Sequence, residues 1–296
     1  WCICPYGKTA DRKPELETCV KRQKGGLVMQ KLGVLEDTLF IPMLGRIYAS
    51  EHCPQILYDK KALELKKKLP SGLIEQNMQN QYTLLASASR SANMDRIIRS
   101  FLERRPDGVI VQLGCGLETT YHRCDNGKAH WYAVDLPHVI EYRRDLLPEP
   151  KREFYISGDA FVKDWIKKVR NDVLDAPILV TASGLFHYFE EHKVIALLRM
   201  IGQFGNMEVV FDTVNKRGMT MMKKKYMKQV GHADAQMFFY VDSAEELAAK
   251  IGGNVKVIAE EPYYRYIPKN DLKLSTKVSM AVSDQFKMVK MIQLKL

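Results

Sequence analysis

Residues 109–116 read Val109-Ile110-Val111-Gln112-Leu113-Gly114-Cys115-Gly116. A short, β-branched apolar run of this kind is a strand buried on both faces. It stops at two glycines, where the backbone can turn sharply and a ligand can lie against main-chain atoms. Upstream, Pro106-Asp107-Gly108 is a strong break. Downstream, apolar runs alternate with helical patterns. The runs are Trp131–Asp135, Glu153–Ser157, Ile178–Ala182 and Glu208–Asp212. The helical patterns between them span Val139–Leu147, Phe161–Val169 and Glu190–Ile201. Strands that are apolar throughout and separated by helices imply a parallel sheet covered on both faces, wound right-handed.

Later segments complete a seven-stranded sheet. Residues 216–230 are basic, Met-rich and helical in pattern, and Ser243–Ile251 is a helix with Ser243 as cap and Glu246 three residues on. Val255–Ile258 and the alternating tail Phe286–Leu294 supply two more strands, the last one antiparallel. The predicted fold is therefore α/β: a doubly wound, mostly parallel sheet of Rossmann-like type. In front of it lie a polar arm (1–30) and a helical lid (31–107); the core is 108–296 with an insertion at about 213–242. Within the lid the expectation is three helices: one ending at Pro70, one opened by Ser71-Gly72, and one from about Ala92 to Arg104.

Composition agrees with a globular domain: 296 residues, 46% apolar and 27% charged. No stretch of about 18 apolar residues is present, so no membrane span is expected. The start, Trp1-Cys2-Ile3-Cys4-Pro5, lacks a basic-then-apolar signal pattern, and the expected location is the cytoplasm. The net charge of +10 is spread along the chain, with short runs at Lys66–Lys68 and Lys223–Lys225. Solvated helix faces explain it better than a nucleic-acid surface does. Cys2, Cys4 and Cys19 lack paired metal-ligand spacing, and Cys53, Cys115 and Cys124 read as buried thiols, so no metal is expected.

The chemistry gathers at the strand ends. In open α/β sheets ligands bind at the carboxyl ends of the strands. A third glycine of a dinucleotide fingerprint would fall at Thr119 and is missing, which argues against a pyrophosphate. Asp135 closes the second strand 19 residues past Gly116, where a carboxylate can accept both hydroxyls of a ribose. Its alternative is capping the helix that begins at Pro137-His138. Asp159, in Ser157-Gly158-Asp159-Ala160-Phe161, sits where it can accept a bond from an adenine amine, or cap the next helix.

Taken together, these features resemble the leucine carboxyl methyltransferase family, in its branch of polyketide O-methyltransferases. The resemblance runs from about Arg90 to Ile201. It rests on Arg90 to Asp95, Leu113-Gly114-Cys115-Gly116-Leu117-Glu118-Thr119, Ala133-Val134-Asp135-Leu136-Pro137, Gly158-Asp159-Ala160 with Trp165, and Thr181-Ala182-Ser183-Gly184-Leu185-Phe186-His187-Tyr188-Phe189. It implies an S-adenosylmethionine-dependent methyltransferase that releases S-adenosylhomocysteine and acts on a small-molecule hydroxyl or carboxyl. It also implies that Arg90 clamps the cofactor's carboxylate, where the competing role is an ion pair with Asp95. Gly114, Cys115 and Gly116 would line the methionine portion, Asp135 and Leu136 the ribose, Asp159 and Ala160 the adenine, with Ser183 and Gly184 beside the amine.

Two departures stand out. Ser183 replaces an acidic residue usual in the family, and Glu118-Thr119-Thr120 replaces Asp-Thr-Arg. His187 and Tyr188 are the catalytic candidates; packing is the other reading of each. Rival functions are a nucleic-acid methyltransferase, a non-catalytic binding relative and a nicotinamide oxidoreductase. The Asp/Asn-Pro-Pro-aromatic motif of the first is absent from the end of the fourth strand.

Overall fold

The computed structural model describes residues 34–69, 80–229 and 237–296. The arm at 1–30 lies outside them, as do Ser71-Gly72 and most of the lid's expected second helix.

Seven strands form one sheet: β1 Val109–Leu113, β2 His130–Asp135, β3 Glu153–Ser157, β4 Ile178–Ala182, β5 Met207–Val214, β6 Lys256–Pro262 and β7 Val289–Lys295. Their order is β3-β2-β1-β4-β5-β7-β6. β1 to β5 pair in parallel, and β7 runs antiparallel between β5 and β6. The order reverses at β1, whose neighbours β2 and β4 lead away on opposite sides. This switch point opens a crevice above the carboxyl ends of β1 and β4.

The helices are α1 Val34–His52, α2 Lys60–Lys66, α3 Gln81–Arg104, α4 Thr120–Cys124, α5 Pro137–Leu146, α6 Asp164–Val173, α7 Glu191–Gly202, α8 Lys216–Gln229, α9 Ala244–Ile251 and α10 Leu274–Gln285. The two-residue period of β1 sorts its side chains between the two faces of the sheet. Val109, Val111 and Leu113 pack with Trp165, Ile166 and Val169 of α6, with Val194, Leu197 and Leu198 of α7, and with Leu247 of α9. Ile110 faces the other way, onto Met94, Ile97, Ile98 and Phe101 of α3 and Met280 of α10. All five β1 residues are buried, as the unbroken apolar run requires.

Several boundaries differ from the sequence reading: α6 runs Asp164–Val173 rather than Phe161–Val169, β6 continues to Pro262 and β5 to Val214, and two further differences have a clear cause. α3 is one helix from Gln81, capped by Asn80, whose side chain accepts from the Thr83 amide (3.0 Å); it does not begin near Ala92. Ser89, Ser91 and Asn93 are buried within it, so a stretch that reads as a polar interruption is interior. β7 starts at Val289, not Phe286, because the Met288 amide still bonds the Ser283 carbonyl at the end of α10 and Lys287 has φ of 46°.

Candidate functional site

The turn after β1 is shaped by its two glycines and one carboxylate. Gly114 and Gly116 have φ of 61° and 45°, a region side chains rarely enter. Asp135, at the end of the adjacent β2, accepts from the Gly116 amide through Oδ2 (2.8 Å) and from the Leu136 amide through Oδ1 (2.8 Å). Neither bond caps the following helix through its second or third amide; Leu136 is the N-cap of α5. Burial raises the Asp135 pKa, and its two amide partners counteract this only in part. Each oxygen keeps a free lone pair for a further donor. Cys115 is buried beside this turn, and burial pushes its thiol pKa up.

The turn after β4 is held from the neighbouring strand. Asp212 of β5 accepts from the Gly184 amide (2.6 Å), lies 3.4 Å from Nη1 of Arg90, and lies 3.3 Å from Nε2 of His187. Burial alone would raise its pKa. Arg90, His187 and the Gly184 amide reverse the sign and hold this carboxyl well below the usual range. Asp212 is therefore an anion that ties a cap helix, a glycine turn and an imidazole to one point.

Arg90, on α3, is 18% exposed, and its guanidinium lies directly over Gly184, where a Cβ would collide with it. A planar fork laid over bare main chain at a sheet crevice suits a carboxylate ligand. The competing pair with Asp95 does not form. Asp95 is taken by Arg123, through Nε (2.7 Å) and Nη2 (2.9 Å).

His187 lies in a short 3-10 turn (Phe186–Tyr188) and is buried. Its Nδ1 is enclosed and has no hydrogen-bond partner among the described residues. The tautomer with its proton on Nε2, shared with Asp212, is the one that leaves a lone pair on Nδ1. Tyr188 packs beside Val214, Met219 and Met237, a methionine-rich cluster past the end of β5. Asp159 is exposed and accepts from the Phe161 amide (2.9 Å), closing a turn; α6 begins only at Asp164. The Ala160 carbonyl receives the Trp165 indole N–H (2.9 Å). Ser183 is half-buried beside Gly184.

Asp212 was legible in the sequence only as the last residue of a strand. Its function depends on β5 lying next to β4. Glu118 had a sequence signal as a departure, but its partners Arg46 and Arg123 had none.

These features fit a nucleoside-bearing amino acid. Paired glycines at the switch point, a carboxylate ending β2 and another within β5, an arginine fork and a sheet closed by an antiparallel β7 are the features expected of an S-adenosylmethionine-dependent methyltransferase. Comparisons with known proteins agree. The family model for leucine carboxyl methyltransferases matches residues 41–202, more than half of the chain. The chain belongs to the leucine carboxyl methyltransferase family, and its cofactor is S-adenosylmethionine.

A tetracenomycin polyketide synthesis O-methyltransferase of Streptomyces glaucescens is 26% identical over 225 residues, covering 75% of this chain and 81% of that protein. Among solved structures, a putative methyltransferase from Thermobifida fusca superposes with a TM-score of 0.53 at 16% identity, covering 85% of this chain and 93% of that one. A DUF574-family protein from Streptomyces avermitilis gives the same TM-score at 12% identity, covering 85% and 96%. These two share the fold. Among the described residues no cluster of His, Cys, Asp or Glu is placed to hold a metal, and no helix is long and apolar enough to cross a membrane.

Proposed function

We propose that this methyltransferase transfers its methyl group to a hydroxyl oxygen of a small, largely apolar acceptor, with His187 as the general base. The observation that carries this reading is the Asp212–His187 pair: an ionised carboxylate 3.3 Å from Nε2 and an enclosed Nδ1 with no partner among the described residues. A carboxylate acceptor is already ionised at neutral pH and needs no base, whereas an alcohol or phenol benefits from one. The methionine-rich cluster of Val214, Met219, Met237 and Met222 beside Tyr188 supports an apolar acceptor, because thioether side chains fill irregular apolar space. The role of the Streptomyces glaucescens relative, in polyketide synthesis, points the same way.

Each chain residue then has a task. Arg90 pairs with the cofactor's carboxylate, and Gly114, Cys115 and Gly116 provide the bare main chain beside its methionine portion. Asp135, with Leu136, receives the ribose hydroxyls, and Asp159 with Ala160 borders the adenine. Ser183 and Gly184 border the amine. Asp212 supplies, from the neighbouring strand, negative charge that Ser183 does not. The sulfonium cofactor supplies an already activated methyl group, so alignment and exclusion of water are the main contributions of the protein. For His187 to take the acceptor's proton, its enclosed Nδ1 must be opened to the acceptor as it binds; Asp212 then stabilises the resulting imidazolium.

A panel of phenols, aliphatic alcohols and carboxylic acids, assayed for methyl incorporation, tests the proposal. Hydroxylated aromatic acceptors are expected to react. His187→Gln should lower kcat by about 10²- to 10⁴-fold, the usual contribution of a positioned base. Turnover confined to carboxylic acids, with His187→Gln unaffected, would overturn it.

A further inference from the structure

The glycine turn after β1 is not held by the sheet alone. Three successive carbonyls of the turn are bound by buried arginines. Arg143 Nη1 donates to the Gly116 carbonyl (3.0 Å) and the Glu118 carbonyl (2.7 Å). Arg46, from α1, donates through Nη2 to the Leu117 carbonyl between them (2.8 Å). Through Nη1 it also reaches the Glu118 carboxylate (2.9 Å). Arg143 belongs to the core and pairs with Glu153 of β3. Arg46 belongs to the lid.

A shared set of charges extends the connection. Glu118 also accepts from Arg123 Nη2 (2.9 Å) and from the Ser91 hydroxyl of α3 (3.2 Å). Asp59, which caps α2, bonds Arg123 (2.6 Å) and lies 3.2 Å from Arg46 Nε. Its other polar neighbour is the Thr119 hydroxyl, on the turn itself. Arg46 is 1% exposed and Asp59 fully buried. Leu39 of α1 lies against the face of Gly116.

We infer that Arg46 is a positioning residue for the cofactor: it couples docking of the N-terminal cap helices to the binding-competent shape of the Gly114–Gly116 turn. The inference rests on the cofactor reading of that turn and adds a residue that need not touch the ligand. Coupling of this kind is reciprocal. Occupation of the turn should hold α1 down, and loosening α1 should weaken cofactor binding. The acceptor would then meet a cap that is fully docked only after the cofactor is bound.

The test is calorimetric titration of the full chain with S-adenosylhomocysteine, with hydrogen exchange measured across Met43–Ser50. Arg46→Lys keeps a positive charge for Asp59 and Glu118 but cannot also reach Leu117 with a fixed second nitrogen. Loss of one such bond should weaken affinity by about tenfold. KM for the methyl donor should rise in step, while the rate at saturation changes by less than about threefold, a split that a general loss of folded protein would not produce. The ligand-induced slowing of exchange in α1 seen with the parent chain should shrink in the variant.

Affinity within twofold of the parent in a folded Arg46→Lys protein would overturn the coupling. Should that variant fail to fold, Leu39→Ala carries the test: it loosens α1 against Gly116 and leaves every arginine in place, so unchanged affinity there overturns the coupling equally. If the parent chain itself binds no S-adenosylhomocysteine, the cofactor reading fails and the inference falls with it.

Discussion

Gly184 has φ of 66° and sits beneath the Arg90 guanidinium, so a side chain there is opposed twice. The left-handed backbone costs about 1–2 kcal/mol for an ordinary residue, and a Cβ must also displace Arg90. Gly184→Ala is therefore expected to fold with lowered stability and to raise KM for S-adenosylmethionine by about tenfold or more, through loss of a charge-assisted pair. Steady-state kinetics over a range of cofactor concentration checks this; an unchanged KM would remove Arg90 from the cofactor's path.

Two carboxylates, buried Asp212 and half-buried Glu118, make the fold sensitive to acid. Burial opposes ionisation of both Glu118 and Asp212, yet Arg46 and Arg123 around the first, and Arg90 and His187 around the second, lower their pKa values from ordinary values of 4.5 and 3.8. Such groups bind protons more weakly in the folded chain than in the unfolded one. Their stabilisation is complete above the ordinary carboxylate range and is lost as pH falls through their folded values. Denaturation midpoints should therefore hold steady down to about pH 4.5 and then decline. Glu118→Gln should be less stable at neutral pH, with a shallower decline in acid. Parallel curves for parent and variant would contradict the assignment.

At the level of elements, α3 joins the site to the core. Its first half carries Arg90 and Ser91 to the crevice, and its second half buries Ile97, Ile98, Phe101 and Leu102 against Ile110 and Leu179 of the sheet. Phe101 is almost wholly enclosed and lies where a Cβ on Gly108 would collide with it. Truncating it leaves a cavity between helix and strand, so Phe101→Ala should cost about 3–5 kcal/mol. Chemical denaturation should report that loss as a lower midpoint with the slope retained. A loss under about 1 kcal/mol would mean that α3 is not packed as described.

The same elements show how far a sequence can be read. β1, β2 and β4 were legible because a strand buried on both faces is apolar almost throughout, and the edge strand β3, with Phe154 exposed, was legible from its place in the alternation of strands and helices. The continuity of α3 was not legible: its Ser-Ala-Ser and Ser-Ala-Asn stretches look like a solvent-facing break, yet Ser89, Ser91 and Asn93 are enclosed by α1, the sheet and the loop at Tyr263. Helical periodicity marks burial only where buried residues are apolar.

Across the whole molecule, the site is a product of strand order. Asp135 and the Gly114–Gly116 turn end β2 and β1, Gly184 follows β4, and the parallel registers bring Asp212, two residues before the end of β5, to the same level. The motifs after β1, β2 and β4 each carried a local signal. What no local signal could carry was convergence: Arg90 meets Asp212 across 122 positions, and Arg46 meets Leu117 across 71. Long-range polar contacts of this kind depend on which strands are neighbours and leave no periodic trace in the chain.

Titration of the full chain with S-adenosylhomocysteine, alongside Asp135→Asn, tests the central claim most directly. The parent should bind one equivalent and gain thermal stability, by about 2.7 kcal/mol when ligand is at a hundred times its dissociation constant. Asp135→Asn keeps an oxygen for the Gly116 amide but loses the charge and one acceptor, and should bind at least about tenfold more weakly with its circular dichroism spectrum unchanged. Equal affinity in the two proteins, or no binding by either, would contradict a nucleoside seated on the carboxylate that ends β2.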